Sequence, residues 1–391
     1  MIHSRGQRRY DRAVARTPLA LGLALVLGGC PRPAQVPADA GSVKPTGPIG
    51  SHERGVVDTH IHVQPTEIHR LIDIMDENHL AWGLNLSGLW PGGPLEQNLA
   101  VAKRSGRLLV ALNLPWRAAR RDPEFPQRAA ELIAEGKALG ARALKIEKAL
   151  GLSVLKPDGS LAKVDDPWFD PMWAAAGEQG LPVVIHTGDP KAFWYPVDPM
   201  NERYEELSAH PGWSNWGDPE VPSFEELLAA QMRVVERHPK TRFVSVHFGN
   251  NAEDPAWVSS MLDAHPNLFI DLAARLPEIG RHPPEQIRAL FLRHADRILF
   301  GTDLGVSPQG FLMLGSFGTE PSTRADVKPF FDKHWRWLES SDYAIDSPTP
   351  IQGRWQIHGI ALPPEVLEKV YRGNAERLFG PPPSPTSSSR P

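Results

Sequence analysis

The amino-acid sequence predicts an α/β fold, a (β/α)8 TIM barrel with extra C-terminal helices, on three observations. Eight short apolar runs alternate with amphipathic stretches from residue 55 onward. The runs are rich in Val, Ile, Leu and Phe throughout, as strands buried on both faces are. No strand-to-helix junction carries the Gly-rich fingerprint of a dinucleotide fold, which disfavours an open doubly wound sheet, and the count of eight favours a closed ring.

The strands are predicted over Gly55–Val63, Ala81–Leu89, Leu108–Trp116, Ala143–Ala149, Pro182–Thr187, Arg242–Phe248, Leu268–Ala274 and Arg297–Asp303. Between them, apolar periodicity predicts helices over Glu67–Glu77, Leu95–Ser105, Gln127–Leu139, Pro167–Gln179, Ser223–Arg237, Pro255–Ala264 and Pro284–Arg293. Ser223, ahead of Glu225 and Glu226, reads as an N-cap with acids in the first turn. Two further helices, Ala325–Ser340 and Pro364–Leu378, would close and cover the barrel.

A length of 391 residues suits one large domain, expected over 55–379. The composition, 41% hydrophobic and 23% charged, is that of a soluble globular protein. A net charge of −4 offers no electrostatic footprint for nucleic acid, so none is expected as a partner.

The N-terminus reads differently. Arg5, Arg8, Arg9, Arg12 and Arg16 stand against Asp11 alone, and an apolar run from Leu19 leads into Leu27-Gly28-Gly29-Cys30. This resembles a bacterial lipoprotein signal over residues 1–29, with Cys30 as the lipidated residue. The run falls short of the roughly 20 apolar residues that span a bilayer. A plain secretory signal, or a twin-arginine signal at Arg8-Arg9, are the alternatives. The expected location is therefore the bacterial cell envelope, exported and lipid-anchored, with the membrane touched through the anchor only. Losing the five arginines and one aspartate of this segment would leave a net charge of about −8 and no residue for a disulfide besides Cys30. Residues 30–54, rich in Pro, Ala, Gly and Ser, read as a flexible tether, and 380–391 as a disordered tail.

Of fifteen histidines, four close predicted strands: His60, His62, His186 and His247. In a (β/α)8 barrel those strand ends form one rim, where active sites are built. Strand alternation places His60 and His62 on one face, with Cα atoms roughly 6.6 Å apart. Asp303 closes the eighth strand. A single strand-end histidine is more often a hydrogen-bonded core residue than a ligand, but the four together with Asp303 point to a metal. Three imidazoles and a carboxylate suit zinc or a neighbouring transition metal, and an open position for solvent would make the site catalytic.

On these residues the chain resembles the amidohydrolase superfamily, in the amidohydrolase-related branch that also holds the aminocarboxymuconate-semialdehyde decarboxylase-like proteins. The resemblance covers about residues 55–378. It implies that His60, His62 and His186 bind metal and that Asp303 is a ligand or the base for a bound water. It implies that His247 either ligates a second metal or acts as acid/base. One divalent metal, zinc, is the expected cofactor, with a second left open. Two-metal members often bridge their ions with a carbamylated lysine or a glutamate at the end of strand four, where Lys145 and Glu147 are expected on one face. The single-metal pattern of the branch implies instead an unmodified Lys145 facing the pocket and orienting a substrate carboxylate.

The loop 188–222, with Phe193, Trp194, Tyr195, Tyr204, Trp213 and Trp216, is expected to roof the pocket, and Trp194 to contact substrate. Trp90 and Trp116 would face the same rim. Arg275, just past strand seven, would pair with a substrate anion or form a salt bridge within the rim. The predicted function is metal-dependent hydrolysis of a small carbonyl-containing substrate by an activated water, with Asp303 taking the water's proton and His247 passing one to the leaving group. The alternative is nonoxidative decarboxylation of an unsaturated or aromatic carboxylic acid. A metal-bound receptor without chemistry is a third reading, disfavoured because a binder has no need of a proton-handling His247. A small molecule is the expected partner, with a homodimer left open.

Overall fold

The computed structural model describes residues 50–382. The expected signal, Cys30, the tether up to residue 49 and the tail from residue 383 lie outside the described residues. Among the described residues no helix is long and apolar enough to cross a membrane.

Eight parallel strands form the ring in chain order: β1 (Val56–Val63), β2 (Leu80–Asn85), β3 (Leu108–Leu112), β4 (Ala143–Ile146), β5 (Val183–Ile185), β6 (Phe243–Ser245), β7 (Leu268–Asp271) and β8 (Ile298–Leu299). The sequence expects the eighth strand as one run, Arg297–Asp303, and the structure divides it. Ile298 and Leu299 pair with β7, whereas β9 (Leu304–Val306) pairs parallel with β1. The four residues between change partner: Thr59 donates its N–H to the Phe300 carbonyl, and Asp303 to that of His60, each at 3.0 Å. This switch closes the barrel, and the break exists because one stretch must leave β7 and reach β1. An antiparallel strand, β10 (Leu312–Leu314), extends β9 into a hairpin that the sequence reading did not foresee.

Helices cover the ring. Among them are α1 (Ile68–Glu77), α2 (Leu95–Ser105), α3 (Phe125–Leu139), α4 (Asp170–Glu178), α5 (Tyr204–Ala209), α6 (Phe224–Arg237), α7 (Pro255–Ala264), α8 (Pro284–Arg293) and α9 (Arg324–Glu339). The Ser223 hydroxyl accepts from the Glu226 N–H at 3.1 Å, the cap read from the sequence. Thr323 and Asp326 form a capping box at the start of α9. The last expected helix is interrupted by a π turn over Lys369–Gly373.

Two apolar layers result. Val57, Trp82, Leu109, Val184, Val244 and Leu299 fill the ring, joined by Leu378 and Phe379 of the C-terminal helix. The larger layer, including Ile61, Leu71, Ile133, Trp173 and Phe291, lies between strands and helices. On β1, Val57 belongs to the inner layer and Ile61 to the outer, although an even spacing should put them on one face. A register shift between Asp58 and Ile61 resolves this, exchanging the faces so that Ile61 packs outward.

The last residues of the expected tether are docked. Ser51–Arg54 form a 3-10 turn, and the Glu339 carboxylate accepts from the backbone N–H groups of Gly50 and His52 at 2.7 and 2.9 Å. The same carboxylate accepts from the Tyr371 hydroxyl at 3.0 Å.

Candidate active site

The end of β1 is held by its neighbours on both sides. Asp58, wholly buried, accepts from the His60 N–H at 3.0 Å and from the Thr302 hydroxyl at 2.5 Å. Burial pushes the Asp58 carboxyl up to about 7, against the opposing pull of these hydrogen bonds. The backbones approach closely there: a Cβ on Gly301 would lie 3.1 Å from that of His60.

His60 is buried, and its Nδ1 donates to Asp271 Oδ2 at 2.8 Å. His62 pairs its Nδ1 with the Ser87 hydroxyl, also at 2.8 Å. Both rings therefore aim Nε2 inward, at 3.5 and 3.4 Å from the same Asp303 Oδ1. Asp303 sits at φ 62, a left-handed conformation unusual outside glycine, which turns its side chain back to the β1 histidines. Burial alone would raise the Asp303 carboxyl, but His60, His62 and Lys145 hold it below the usual carboxylate range. Burial lowers the His60 pKa, against the pull of Asp271 and Asp303, and so favours the ring form with a lone pair to offer.

His247 does not end a strand, as expected, but follows β6 in a left-handed turn, with φ 57 at His247 and 56 at Phe248. The turn swings the ring towards the site. Its N–H donates to Asp271 Oδ1 at 2.7 Å and its Nδ1 to the Ala273 carbonyl at 2.8 Å. His186, one residue past β5, meets it edge to face with ring centroids 4.3 Å apart. The His186 Nε2 is sealed from solvent without a hydrogen-bond partner among the described residues. Burial, reinforced by cations, pushes both imidazoles well below their ordinary pKa: Lys145, Lys148 and Arg275 act on His186, and Arg275 on His247.

The ligand-type atoms of His60, His62 and Asp303 lie within 4.8 Å of one another. His186 stands outside that tight group, yet its Nε2 is an orphaned buried atom beside it, and an unpaired lone pair there is costly unless something binds it. The donor set, imidazoles with one carboxylate, fits a divalent transition metal.

Asp271, which closes β7, escaped the sequence reading. It is wholly buried and also accepts from the Ala273 N–H at 3.1 Å. An acid ending the apolar run Leu268-Phe269-Ile270 was the available signal.

Lys145 is buried on β4, and its Nζ has no hydrogen-bond partner among the described residues. Burial lowers its pKa, with Asp271, Asp303 and Glu147 pulling the other way. Glu147, expected on the same face, instead accepts from Asn113 Nδ2 at 2.5 Å and Trp116 Nε1 at 2.7 Å. The strand has ended at Ile146, so alternation no longer directs it. Trp116 correspondingly packs on Phe125 and Phe169 rather than facing the rim. Arg275 is buried near the histidines, with Nη1 donating to the Ala274 carbonyl at 2.8 Å.

The roof loop is pinned by buried charge. Arg203 is fully buried and bonds Glu206 at 2.6 Å and also Glu278, while the Ser316 hydroxyl donates to Glu206. Only part of the loop's aromatic set faces inward. Phe193 is buried near Trp213, but Tyr195, Tyr204 and Trp216 are exposed. Trp194 spends its indole N–H on the Pro222 carbonyl at 2.9 Å and packs on Phe224, so it braces the loop. A separate cavity of about 750 Å³, lined by Tyr204, Phe317, Phe330, Lys333 and Ile351 among others, includes none of these histidines.

The sequence profile of the amidohydrolase family matches residues 95–380, taking in His186, His247, Asp271 and Asp303 and beginning after β1. Among solved structures, the chain is similar to a TIM-barrel protein of Bordetella bronchiseptica (16% identity, covering 83% of this chain and 98% of that one, TM-score 0.49). It is similar to an amidohydrolase of Burkholderia multivorans (14% identity, 84% and 100% covered, TM-score 0.46). A dihydroxybenzoic acid decarboxylase of a Polaromonas species, solved with bound manganese and an inhibitor, is a third (15% identity, 83% and 96% covered, TM-score 0.43). No curated protein sequence matches.

Proposed function

This chain belongs to the amidohydrolase family, and from that premise we propose that it hydrolyses a small carbonyl-containing substrate bearing a carboxylate. What carries the reading is the convergence of the His60 and His62 Nε2 atoms on one Asp303 oxygen, beside the orphaned Nε2 of His186. These four side chains would hold one divalent ion, with zinc the expected metal. When bound, such an ion lowers the pKa of its water towards about 7 and polarises the substrate carbonyl.

The protein's own groups do the rest. Asp303, held ionised, accepts the proton from the attacking water. His247 has Nε2 left for proton exchange because its Nδ1 proton is committed to the Ala273 carbonyl. That Nε2 takes the water's proton over from Asp303 and delivers it to the leaving group, which returns both side chains to their starting forms. Lys145 and Arg275 supply buried positive charge around His186, suited to orienting a substrate carboxylate. A panel of carboxylated lactones, esters and amides tests this: turnover that needs metal supports it, and a metal-loaded protein inert on all three classes counts against it.

The same two cations favour a second reading, nonoxidative decarboxylation of an unsaturated or aromatic acid. Product analysis separates the two, since one releases carbon dioxide and the other a hydrolysed acid. We also propose export and lipidation at Cys30, supported by residues 1–30 alone; mass spectrometry of the membrane-fraction protein should find a diacylglyceryl-cysteine N-terminus.

A further inference from the structure

We infer that Asp271 is a positioning residue that decides which ring nitrogen of His60 carries the proton, and that the same carboxylate seats His247. The inference rests on the metal site proposed above but adds a residue and a role to it.

Three N–H groups converge on this buried side chain. His60 Nδ1 lies 2.8 Å from Oδ2, while the backbone N–H groups of His247 and Ala273 lie 2.7 and 3.1 Å from Oδ1. A carboxylate only accepts, so the neutral His60 ring must protonate Nδ1 and leave the Nε2 lone pair facing Asp303 and His62. Asp271 lies near enough to His60 and His247 to be taken for a ligand itself, but its oxygens already serve these three donors. Its other task is conformational. His247 is held at φ 57, a left-handed conformation strained for a non-glycine residue, and the bond from its N–H to Asp271 helps keep it there. One carboxylate thus orients a ring on β1 and the turn after β6.

Asp271→Asn is the informative change because it keeps the shape. With its oxygen towards the two backbone N–H groups, the Asn amide would face His60 Nδ1 with a donor, forcing the ring proton onto Nε2. Flipped, the amide would face two backbone donors instead. Neither orientation satisfies all three N–H groups.

The experiment titrates Zn²⁺ against a chromophoric chelator for wild type and Asp271→Asn, with melting temperatures of both metal-free proteins. It also records the ¹⁵N shifts of the His60 ring in metal-free wild type. The expected result is Nδ1–H at His60 in wild type and about 10- to 100-fold weaker Zn²⁺ binding in the variant. Unchanged Zn²⁺ affinity in a folded variant, with only the melting temperature lowered, would overturn the inference. So would an Nε2–H tautomer in wild type, which stays decisive if the variant does not fold. Wild type that binds no Zn²⁺ while showing Nδ1–H would sink the metal reading and leave the tautomer assignment standing.

Discussion

His247 donates its Nδ1 proton to the carbonyl of Ala273 across 2.8 Å, so Nε2 is the ring atom left to exchange protons. The His247→Asn variant keeps a polar side chain of smaller reach and cannot carry a proton at that position. We expect kcat to fall by about 10²- to 10⁴-fold with little change in KM or bound metal. Steady-state kinetics with metal analysis checks this, and undiminished turnover would exclude His247 from proton transfer.

Lys145 holds a buried amine without a hydrogen-bond partner among the described residues. Lys145→Met keeps its length and removes the charge. A charge-assisted contact to substrate is worth about 1.5–3 kcal/mol, so KM for carboxylated substrates should rise by about 10- to 100-fold. Neutral analogues should be unaffected and metal content unchanged. Loss of metal in this variant would point to a modified Lys145 bridging two ions.

Arg203 lies fully buried between Glu206 and Glu278. Burial alone would lower its pKa, and the two carboxylates more than offset that. Replacing Arg203 by Met strands two buried acids and should cost about 3–5 kcal/mol in thermal or urea unfolding. Arg354→Ala, which breaks an exposed pair with Glu205, should leave the melting temperature where it was.

His334 is buried in α9, its Nδ1 donating to the Phe330 carbonyl at 2.8 Å, and burial lowers its pKa to about 4. Its ordinary value is about 6.5, so the unfolded chain binds this proton first as pH falls. Stability from His334 is whole above about pH 6.5 and is lost towards pH 4, amounting to about 3 kcal/mol. His334→Gln should therefore flatten the decline in unfolding free energy across that window. An identical slope in wild type and variant would rule the contribution out.

Much of this site is legible in the chain because β-strand alternation and barrel topology are simple rules. His60, His62, His186, His247 and Asp303 fall at or just beyond strand ends, and those ends share a rim. Which face His60 takes is less legible, since a register shift in β1 exchanges the sides. The acid that ends β7 is a visible signal, but the role of Asp271 is not legible, because it is defined by N–H groups from β1, the turn after β6 and its own turn meeting at one point. Glu147 falls just past β4, and Tyr195 and Trp216 lie in a loop, so strand alternation assigns none of them a face. The split of the eighth strand follows from closing the ring, which no local pattern records.

The metal itself is tested most directly by counting it. Wild type and the His62→Ala, His186→Ala and Asp303→Ala variants, matched for circular dichroism, would be dialysed against Zn²⁺ and analysed by plasma mass spectrometry. One ion per wild-type chain, lost in each variant, is the predicted result. A folded wild type that retains none, or variants that keep a full equivalent, would contradict the site.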